Sequence, residues 1–140
     1  MRYVSFNYQG ESSWGVLRGN DIISVGNQVA HRFPTLGSAL RYSANAVRDI
    51  VAGEIRTLNE VQLLPPIYDP GKIICVGRNY KGHVEEAGLE LPKNPSLFTR
   101  FSDTLVASGA PLVCPDISKS FDFEGEIAVI IGKGGRHIEE

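Results

Sequence analysis

The chain has 140 residues with 14 lysines and arginines against 16 aspartates and glutamates, which gives a formal charge of -2. This near balance argues against a nucleic-acid binder and against a polybasic membrane surface. No apolar run is long enough to span a bilayer, and the N-terminus lacks a signal-peptide core. We therefore expect a soluble, cytoplasmic protein with no nucleic-acid or membrane partner, whose Cys75 and Cys114 remain reduced thiols.

The first half of the sequence predicts a small β-rich domain. The segment RYVSFNY alternates and is rich in β-formers, which is typical of a strand. In GVLRGNDIISV, the tripeptide Gly19-Asn20-Asp21 separates two apolar runs and predicts a tight hairpin. Thr35 can cap a helix that we expect to end near Gly53. The apolar positions of this helix, spaced for one helical face, are Leu36, Ala39, Leu40, Val47, Ile50 and Val51.

The second half begins after a proline-rich connector, LLPPIYDPG, which neither a helix nor a central strand tolerates. We place a domain boundary near Pro66, so that residues 1–66 form the β-rich domain and residues 67–140 belong to a second domain. KIICVG predicts a strand buried on both faces, NYKGHVEEAGLE a short helix ended by Gly88, and SLFTRF another strand. The longest predicted strand is Phe121–Ile131. The fold class is therefore mostly β with short helices, of the α+β type.

Three carboxylates alternate in the stretch SFDFEGEIAV. On a strand, Asp122, Glu124 and Glu126 share one face. The last two adjoin IAVII, which predicts a covered strand, and two carboxylates at the rim of a low-dielectric core repel by about 4 kcal/mol. Either one takes up a proton or a cation lies between them, and oxygen ligands without His or Cys favour Mg²⁺, Mn²⁺ or Ca²⁺ over zinc. The alternative is a solvated strand entry, which is the better interpretation of Asp122.

A histidine and a carboxylate are spaced for one helical face in GRNYKGHVEEAG. If a helix begins near Tyr80, His83 and Glu86 stand at positions i and i+3. A histidine oriented by a carboxylate is the minimal general base. The alternative is an inert surface ion pair, which the spacing alone favours.

Three segments together resemble the fumarylacetoacetate hydrolase family. They are PPIYDPGKIICVGRNYKGHVEEAG, PSLFTRFSDTLVASGAPL and FDFEGEIAVIIGK. Their order and separation match the family's proline-rich entry, its K-I-x-x-V-G-x-N-Y-x-x-H-x-x-E segment and its acid-x-E-x-E strand. The resemblance implies that residues 67–140 are the first part of a catalytic mixed β-roll, preceded by a small β-rich domain.

Carried over position by position, the resemblance implies a set of functional residues. Glu124 and Glu126 match the two strand carboxylates that bind Mg²⁺ or Mn²⁺. His83 and Glu86 match the catalytic pair on a helix that closes as a lid. The implied substrate-binding residues are Arg78, Asn79, Tyr80 and Arg100, the last of which stands where relatives commonly have lysine.

The function implied by the resemblance is divalent-metal-dependent hydrolysis of C–C bonds in 1,3-dicarbonyl or acylpyruvate substrates of aromatic catabolism, by a homodimer. A 2-oxo-acid decarboxylase or isomerase on the same fold, and a non-catalytic truncated module, are the alternatives. Relatives take a third metal ligand from an aspartate downstream of the E-x-E strand. We therefore expect the chain to be an N-terminal portion of such an enzyme, which binds Mg²⁺ or Mn²⁺ weakly by itself.

Overall fold

The computed structural model describes residues 1–43, 47 and 53–139, without the side chains of Asn27 and Gln28. The chain divides into two compact units, one made of Met1–Ile67 with Val106–Glu140 and the other of Tyr68–Leu105. The architecture is mostly β with few short helices, as predicted. Among the described residues no helix has both the length and the apolar character needed to cross a membrane.

The first unit contains a five-stranded antiparallel sheet with the order β4-β3-β2-β1-β5. Its strands are β1 (Arg2–Tyr8), β2 (Glu11–Arg18), β3 (Asp21–Ser24), β4 (Ile55–Thr57) and β5 (Gln62–Leu64). The three strands predicted to open the chain are therefore confirmed. Neighbours in sequence are neighbours in the sheet for β1, β2 and β3, because short turns join them.

Two-residue turns set the register of the first three strands. Gln9 and Gly10 join β1 to β2 with φ values of 51° and 89°. Positive φ at both central positions defines the type I′ turn, whose twist matches that of the flanking strands. The second turn is Gly19-Asn20, with φ of 61° at Gly19. Asp21 pairs with Arg18 and belongs to β3 rather than to the turn.

Two helices follow the third strand, α1 (Asn27–Arg32) and α2 (Leu36–Tyr42). Thr35 caps α2 as predicted: the Ser38 N–H donates to Thr35 Oγ1 over 3.0 Å, and the Thr35 N–H donates to Ser38 Oγ over 3.2 Å. This reciprocal pair satisfies two backbone donors that helix geometry leaves without partners. The prediction of one helix from Thr35 to near Gly53 is wrong, because α2 ends at Tyr42 and the next residue, Ser43, is extended (φ -167°, ψ 121°). Ile50 and Val51 lie outside the described residues.

The core of the first unit lies between the sheet and these helices. The Trp14 indole N–H donates to the Phe33 carbonyl over 2.9 Å inside the core, so the one polar group of the ring is satisfied. Gly53 approaches the Ser24 carbonyl so closely that a Cβ would lie 2.3 Å from the oxygen, which explains the glycine by a close approach. The largest side chains of this unit that are fully buried include Trp14, Phe6 and Ile22. The buried residues that pack together in one cluster are Trp14, Val25, Phe33, Leu36, Ala39 and Val47.

Replacing Thr35 by alanine should lower the free energy of unfolding by about 1 kcal/mol, because an N-cap side chain is worth that much. The measurement is urea denaturation followed by circular dichroism. Thr35→Ser keeps the hydroxyl and should cost less than half as much. Equal stability of the alanine variant and the wild type would contradict a role for this cap.

The second unit is a two-stranded antiparallel ribbon with one helix. The ribbon joins β6 (Ile73–Gly77) to β7 (Ser96–Arg100), and α3 (Lys81–Glu86) lies between them in sequence. The helix ends before Gly88, whose φ is 65° and whose N–H donates to the Glu85 carbonyl over 3.1 Å. The predicted order of strand, short helix and strand is therefore confirmed, and so is Gly88 as the helix terminator.

The predicted burial of β6 on both faces is wrong. Ile74 is 59% exposed and Val76 is 36% exposed. Within the described part of the chain, β6 pairs only with β7. A continuous apolar run indicates that a strand can be covered on both faces, but two strands alone cannot supply that cover.

The strand predicted at Phe121–Ile131 is also absent: described residues 105–139 contain no helix or strand. Phe123, Ile127 and Val129 are 85%, 82% and 77% exposed, so IAVII is not a covered strand. The alternating pattern and β-branched residues give the segment strand propensity, but a strand also needs a paired neighbour. Cys75 and Cys114 are both free, and Cys114 is exposed in this irregular region.

Candidate catalytic and metal-binding residues

The loop that follows β6 contains a left-handed residue. Arg78 has φ of 56°, a conformation that costs a non-glycine residue about 1 to 2 kcal/mol. Such residues concentrate at functional sites, where the surrounding structure holds them. Tyr80 is extended (φ -110°, ψ 116°), and its carbonyl accepts the Val84 N–H over 3.1 Å. The bend at Arg78 therefore turns the chain from the ribbon directly into α3.

Helix α3 presents His83 and Glu86 as the sequence predicts. Both side chains lie on the exposed surface, one helical turn apart, whereas Val84 between them is completely buried. Lys81 Nζ lies 3.5 Å from Glu85 Oε1 on the same helix, an exposed pair that contributes little stability. Val84 is thus the residue that anchors the helix, and the histidine and its neighbouring carboxylate face solvent.

The four predicted substrate-binding residues do not lie together along the ribbon. Arg100 pairs with Ile73 at one end of the ribbon, whereas Gly77 pairs with Ser96 at the other end. Four residues of strand separate the two ends, which is about 13 Å at the usual rise per residue. The loop that starts at Arg78 therefore leaves the end of the ribbon opposite to Arg100.

The Arg100 side chain makes one long hydrogen bond to a neighbouring hydroxyl group. The Nε–H of Arg100 donates to Thr104 Oγ1 over 3.4 Å, and the Thr104 hydroxyl donates to the Phe101 carbonyl over 2.7 Å. Thr104 belongs to the single 3₁₀ turn Ser102–Thr104 that follows β7. Sequence analysis missed Thr104, because a threonine four residues after an arginine carries no periodic signal outside a helix.

Glu124 and Glu126 are exposed residues of the irregular region. Because no strand forms there, the period of two no longer places them on a common face. In water two carboxylates 4 Å apart repel by only about 1 kcal/mol, so repulsion alone does not require a cation between them. Asp122 Oδ1 accepts the Phe123 N–H over 2.8 Å, so that one oxygen of this carboxylate is engaged by the backbone.

The carboxylates of Glu124 and Glu126 are the type of ligand that a hard divalent cation prefers, but two carboxylates are too few to hold it. Carboxylate oxygens are the ligands that Mg²⁺ and Mn²⁺ prefer. Within residues 1–43, 47 and 53–139, however, no three His, Cys, Asp or Glu residues form a group that could hold a metal ion. Two glutamates alone leave most of the roughly six coordination positions of Mg²⁺ to other ligands.

A cavity of about 590 Å³ lies elsewhere, on the sheet of the first unit, and none of the predicted site residues lines it. The guanidinium of Arg56 stacks on the Tyr8 ring, 3.6 Å from its centroid. The same group forms an ion pair with Glu54. Arg56, the basic group among the described residues that line the cavity, is thus already engaged by protein partners, and the cavity adds nothing to the candidate site.

The comparison with known proteins decides the family. The sequence profile described as fumarylacetoacetate (FAA) hydrolase C-terminal matches residues 72–140. The chain belongs to the fumarylacetoacetate hydrolase family. The matched range contains every residue that the resemblance implied for catalysis, metal binding and substrate binding, so the family assignment rests on the part of the chain that carries these residues.

Three relatives illustrate the similarity. The mitochondrial oxaloacetate tautomerase Fahd2a of Rattus norvegicus is 43% identical over 81 residues, which are 58% of this chain and 26% of the relative. The human mitochondrial oxaloacetate tautomerase FAHD2A is 37% identical over 97 residues, 68% of this chain and 31% of the relative. The fumarylacetoacetate hydrolase domain-containing protein 2 homolog of Dictyostelium discoideum is 33% identical over 135 residues, 90% of this chain and 43% of the relative.

A solved structure agrees with the fold. A Mycobacterium smegmatis protein provisionally assigned as HpcE aligns with a TM-score of 0.53 and 23% identity, over 72% of this chain and 36% of the other. At this identity the likeness concerns the fold alone. The chain spans less than half the length of each of these four proteins.

Proposed function

We propose that the protein is an enzyme that enolises 2-oxo acids, with the exposed pair His83 and Glu86 of α3 as its acid–base group. The observation that carries the proposal is the position of this pair. It lies on a helix anchored by Val84, directly after the left-handed bend at Arg78. A histidine with a carboxylate one helical turn away can accept a proton and return it, because the carboxylate fixes the tautomer and stabilises the imidazolium.

The first candidate reaction is keto–enol tautomerisation of a 2-oxo dicarboxylic acid. Proteins named oxaloacetate tautomerases that are 36% to 43% identical to this chain support it. In this reaction His83 removes a proton from the carbon next to the ketone, and a proton is added to the ketone oxygen. One C–H bond breaks and one O–H bond forms, so that no oxidant or water is consumed.

The second candidate is hydrolytic cleavage of a C–C bond in an acylpyruvate, which the match of residues 72–140 to the hydrolase profile supports. Here His83 removes a proton from water, and the oxygen of that water bonds to the carbonyl carbon. The C–C bond then breaks, and the electron pair remains on the leaving enolate until it is protonated. Decarboxylation of a 2-oxo acid that carries a second carboxylate beta to the ketone is a third candidate: the C–C bond to that carboxylate breaks, CO₂ leaves, and the electron pair remains on the enolate until it is protonated.

Glu124 and Glu126 are the proposed protein ligands of a Mg²⁺ or Mn²⁺ ion, together with further oxygen ligands. When bound, such an ion supplies positive charge that stabilises an enolate oxygen. The proposed substrate-binding residues are Arg78, Asn79 and Tyr80 in the loop after β6, with Arg100 at the other end of the ribbon, from which its long side chain would have to reach toward that loop. Of these, the arginines suit a carboxylate because the planar guanidinium offers two parallel N–H groups.

The test is an assay of the complete gene product with oxaloacetate and with an acylpyruvate, at several Mn²⁺ concentrations. Decay of the enol form of oxaloacetate faster than in buffer supports the tautomerase, and release of pyruvate from the acylpyruvate supports the hydrolase. Malate, which has no ketone, is the matched negative control. If metal-loaded protein accelerates neither reaction, the proposed function is wrong.

A further inference from the structure

The Thr104 hydroxyl can act only as an acceptor toward Arg100. A threonine hydroxyl has one proton and two lone pairs. Its proton is donated to the Phe101 carbonyl over 2.7 Å, and the same carbonyl accepts the Thr104 backbone N–H over 3.1 Å. The oxygen is thereby fixed in direction, and its lone pairs face the Nε–H of Arg100 at 3.4 Å.

This contact leaves the two terminal nitrogens of Arg100 for another partner. A guanidinium binds a carboxylate in two ways, through one terminal nitrogen and Nε or through both terminal nitrogens. When Thr104 Oγ1 occupies the Nε–H, the end-on geometry through both terminal nitrogens is the one left. Arg100 is an exposed residue, and an exposed arginine without such a contact samples many rotamers and loses that freedom when it binds a ligand.

We propose that Thr104 is a positioning residue, which holds the guanidinium of Arg100 end-on toward the carboxylate of the substrate. The inference rests on the proposed function, in which Arg100 binds a 2-oxo-acid carboxylate, and adds how the chain orients that arginine. Thr104 itself does not touch the substrate. A lysine in place of Arg100 has no Nε–H, so the Thr104 hydroxyl would have nothing to orient.

The experiment compares Thr104→Val with Thr104→Ser in the complete gene product. Valine keeps the shape of threonine but removes the acceptor, so KM for the 2-oxo acid should rise about threefold to tenfold. The value of kcat should stay within about twofold, because the contact between Arg100 and the substrate carboxylate stabilises the ground state and the transition state alike. Serine keeps the hydroxyl and should restore KM. The control is Ser102→Ala in the same turn, which should change neither constant.

Two further measurements separate positioning from a merely structural role. In an Arg100→Lys background, Thr104→Val should add no further increase in KM, because the group that it orients is gone. In ¹⁵N NMR spectra, the Arg100 Nε–H signal should shift and exchange faster in Thr104→Val than in Thr104→Ser or Ser102→Ala.

The outcomes distinguish this inference from the proposed function. If the wild type turns over 2-oxo acids and Thr104→Val leaves KM unchanged, the positioning role is wrong and the function stands. An equal effect of Thr104→Val in the Arg100→Lys background would also overturn it. If the wild type turns over no 2-oxo acid, both proposals are wrong, whatever the NMR signal shows.

Discussion

Replacing His83 by alanine should lower kcat for 2-oxo-acid turnover by about 10²-fold to 10⁴-fold, which is the usual contribution of a positioned general acid or base. KM should change little, because His83 is proposed to move a proton and not to hold the substrate. The fold should survive, since the side chain is exposed and Val84 provides the buried anchor of α3. The measurement is steady-state kinetics, with circular dichroism to confirm that the fold is retained.

The neighbours of His83 on α3 supply the controls. Glu86→Gln keeps the size of the side chain but removes the charge that we propose orients the imidazole, so kcat should fall less than in His83→Ala. Glu85→Gln removes only the exposed partner of Lys81, a pair of little energetic value, and kcat should stay within about twofold. A His83→Ala variant that keeps a tenth or more of the wild-type kcat would exclude His83 as the general base.

Sequence reasoning succeeded where the partners of an element are close in sequence. The pattern of RYVSFNY and GVLRGNDIISV predicts β1, β2 and β3 because two-residue turns at Gln9-Gly10 and Gly19-Asn20 bring each strand beside the next. Thr35 predicts the start of α2 because the capping contacts with Ser38 are made within one helical turn. In each case the information that determines the structure is local.

Sequence reasoning failed where the outcome depends on partners that are distant in sequence. KIICVG forms β6 as predicted, but the face that carries Ile74 and Val76 is exposed and the opposite face is only half-buried. Phe121–Ile131 has the composition and alternation of a strand, yet it is irregular among the described residues. Strand propensity measures how well side chains fit a pleated, half-buried surface, so it cannot say whether that surface is present.

The same distinction between local and distant partners applies to the candidate site. The placement of His83 and Glu86 one turn apart on a short helix was predictable, because a helix fixes the spacing of residues three positions apart. The common face of Glu124 and Glu126 was inferred from a strand that the structure does not contain, so their convergence on a metal ion depends on other residues. Thr104 could not be inferred, because its contact with Arg100 arises from the particular turn that follows β7.

The second large expected effect concerns Glu124 and Glu126. Replacing Glu124 or Glu126 by glutamine should weaken Mn²⁺ binding to the complete gene product by about 100-fold or more. A ligand exchange removes both a negative charge and an anionic oxygen, whereas loss of an outer hydrogen-bond partner of a ligand already costs 10-fold to 100-fold. Binding is measured directly by titration calorimetry or by the Mn²⁺ electron paramagnetic resonance signal, so the result does not depend on knowing the substrate.

Asp122→Asn is the matched control for Glu124→Gln and Glu126→Gln, since it also neutralises one exposed carboxylate of the same segment. Asp122 Oδ1 accepts the Phe123 N–H, and an asparagine oxygen can accept the same bond, so Mn²⁺ affinity should stay within about threefold of the wild type. All three variants lose one negative charge within a short stretch of chain. A difference in Mn²⁺ affinity between them therefore reports the loss of a metal ligand and not the loss of charge. If Asp122→Asn abolishes binding while the glutamine variants retain it, the metal site is centred on Asp122 and the ligand assignment is wrong.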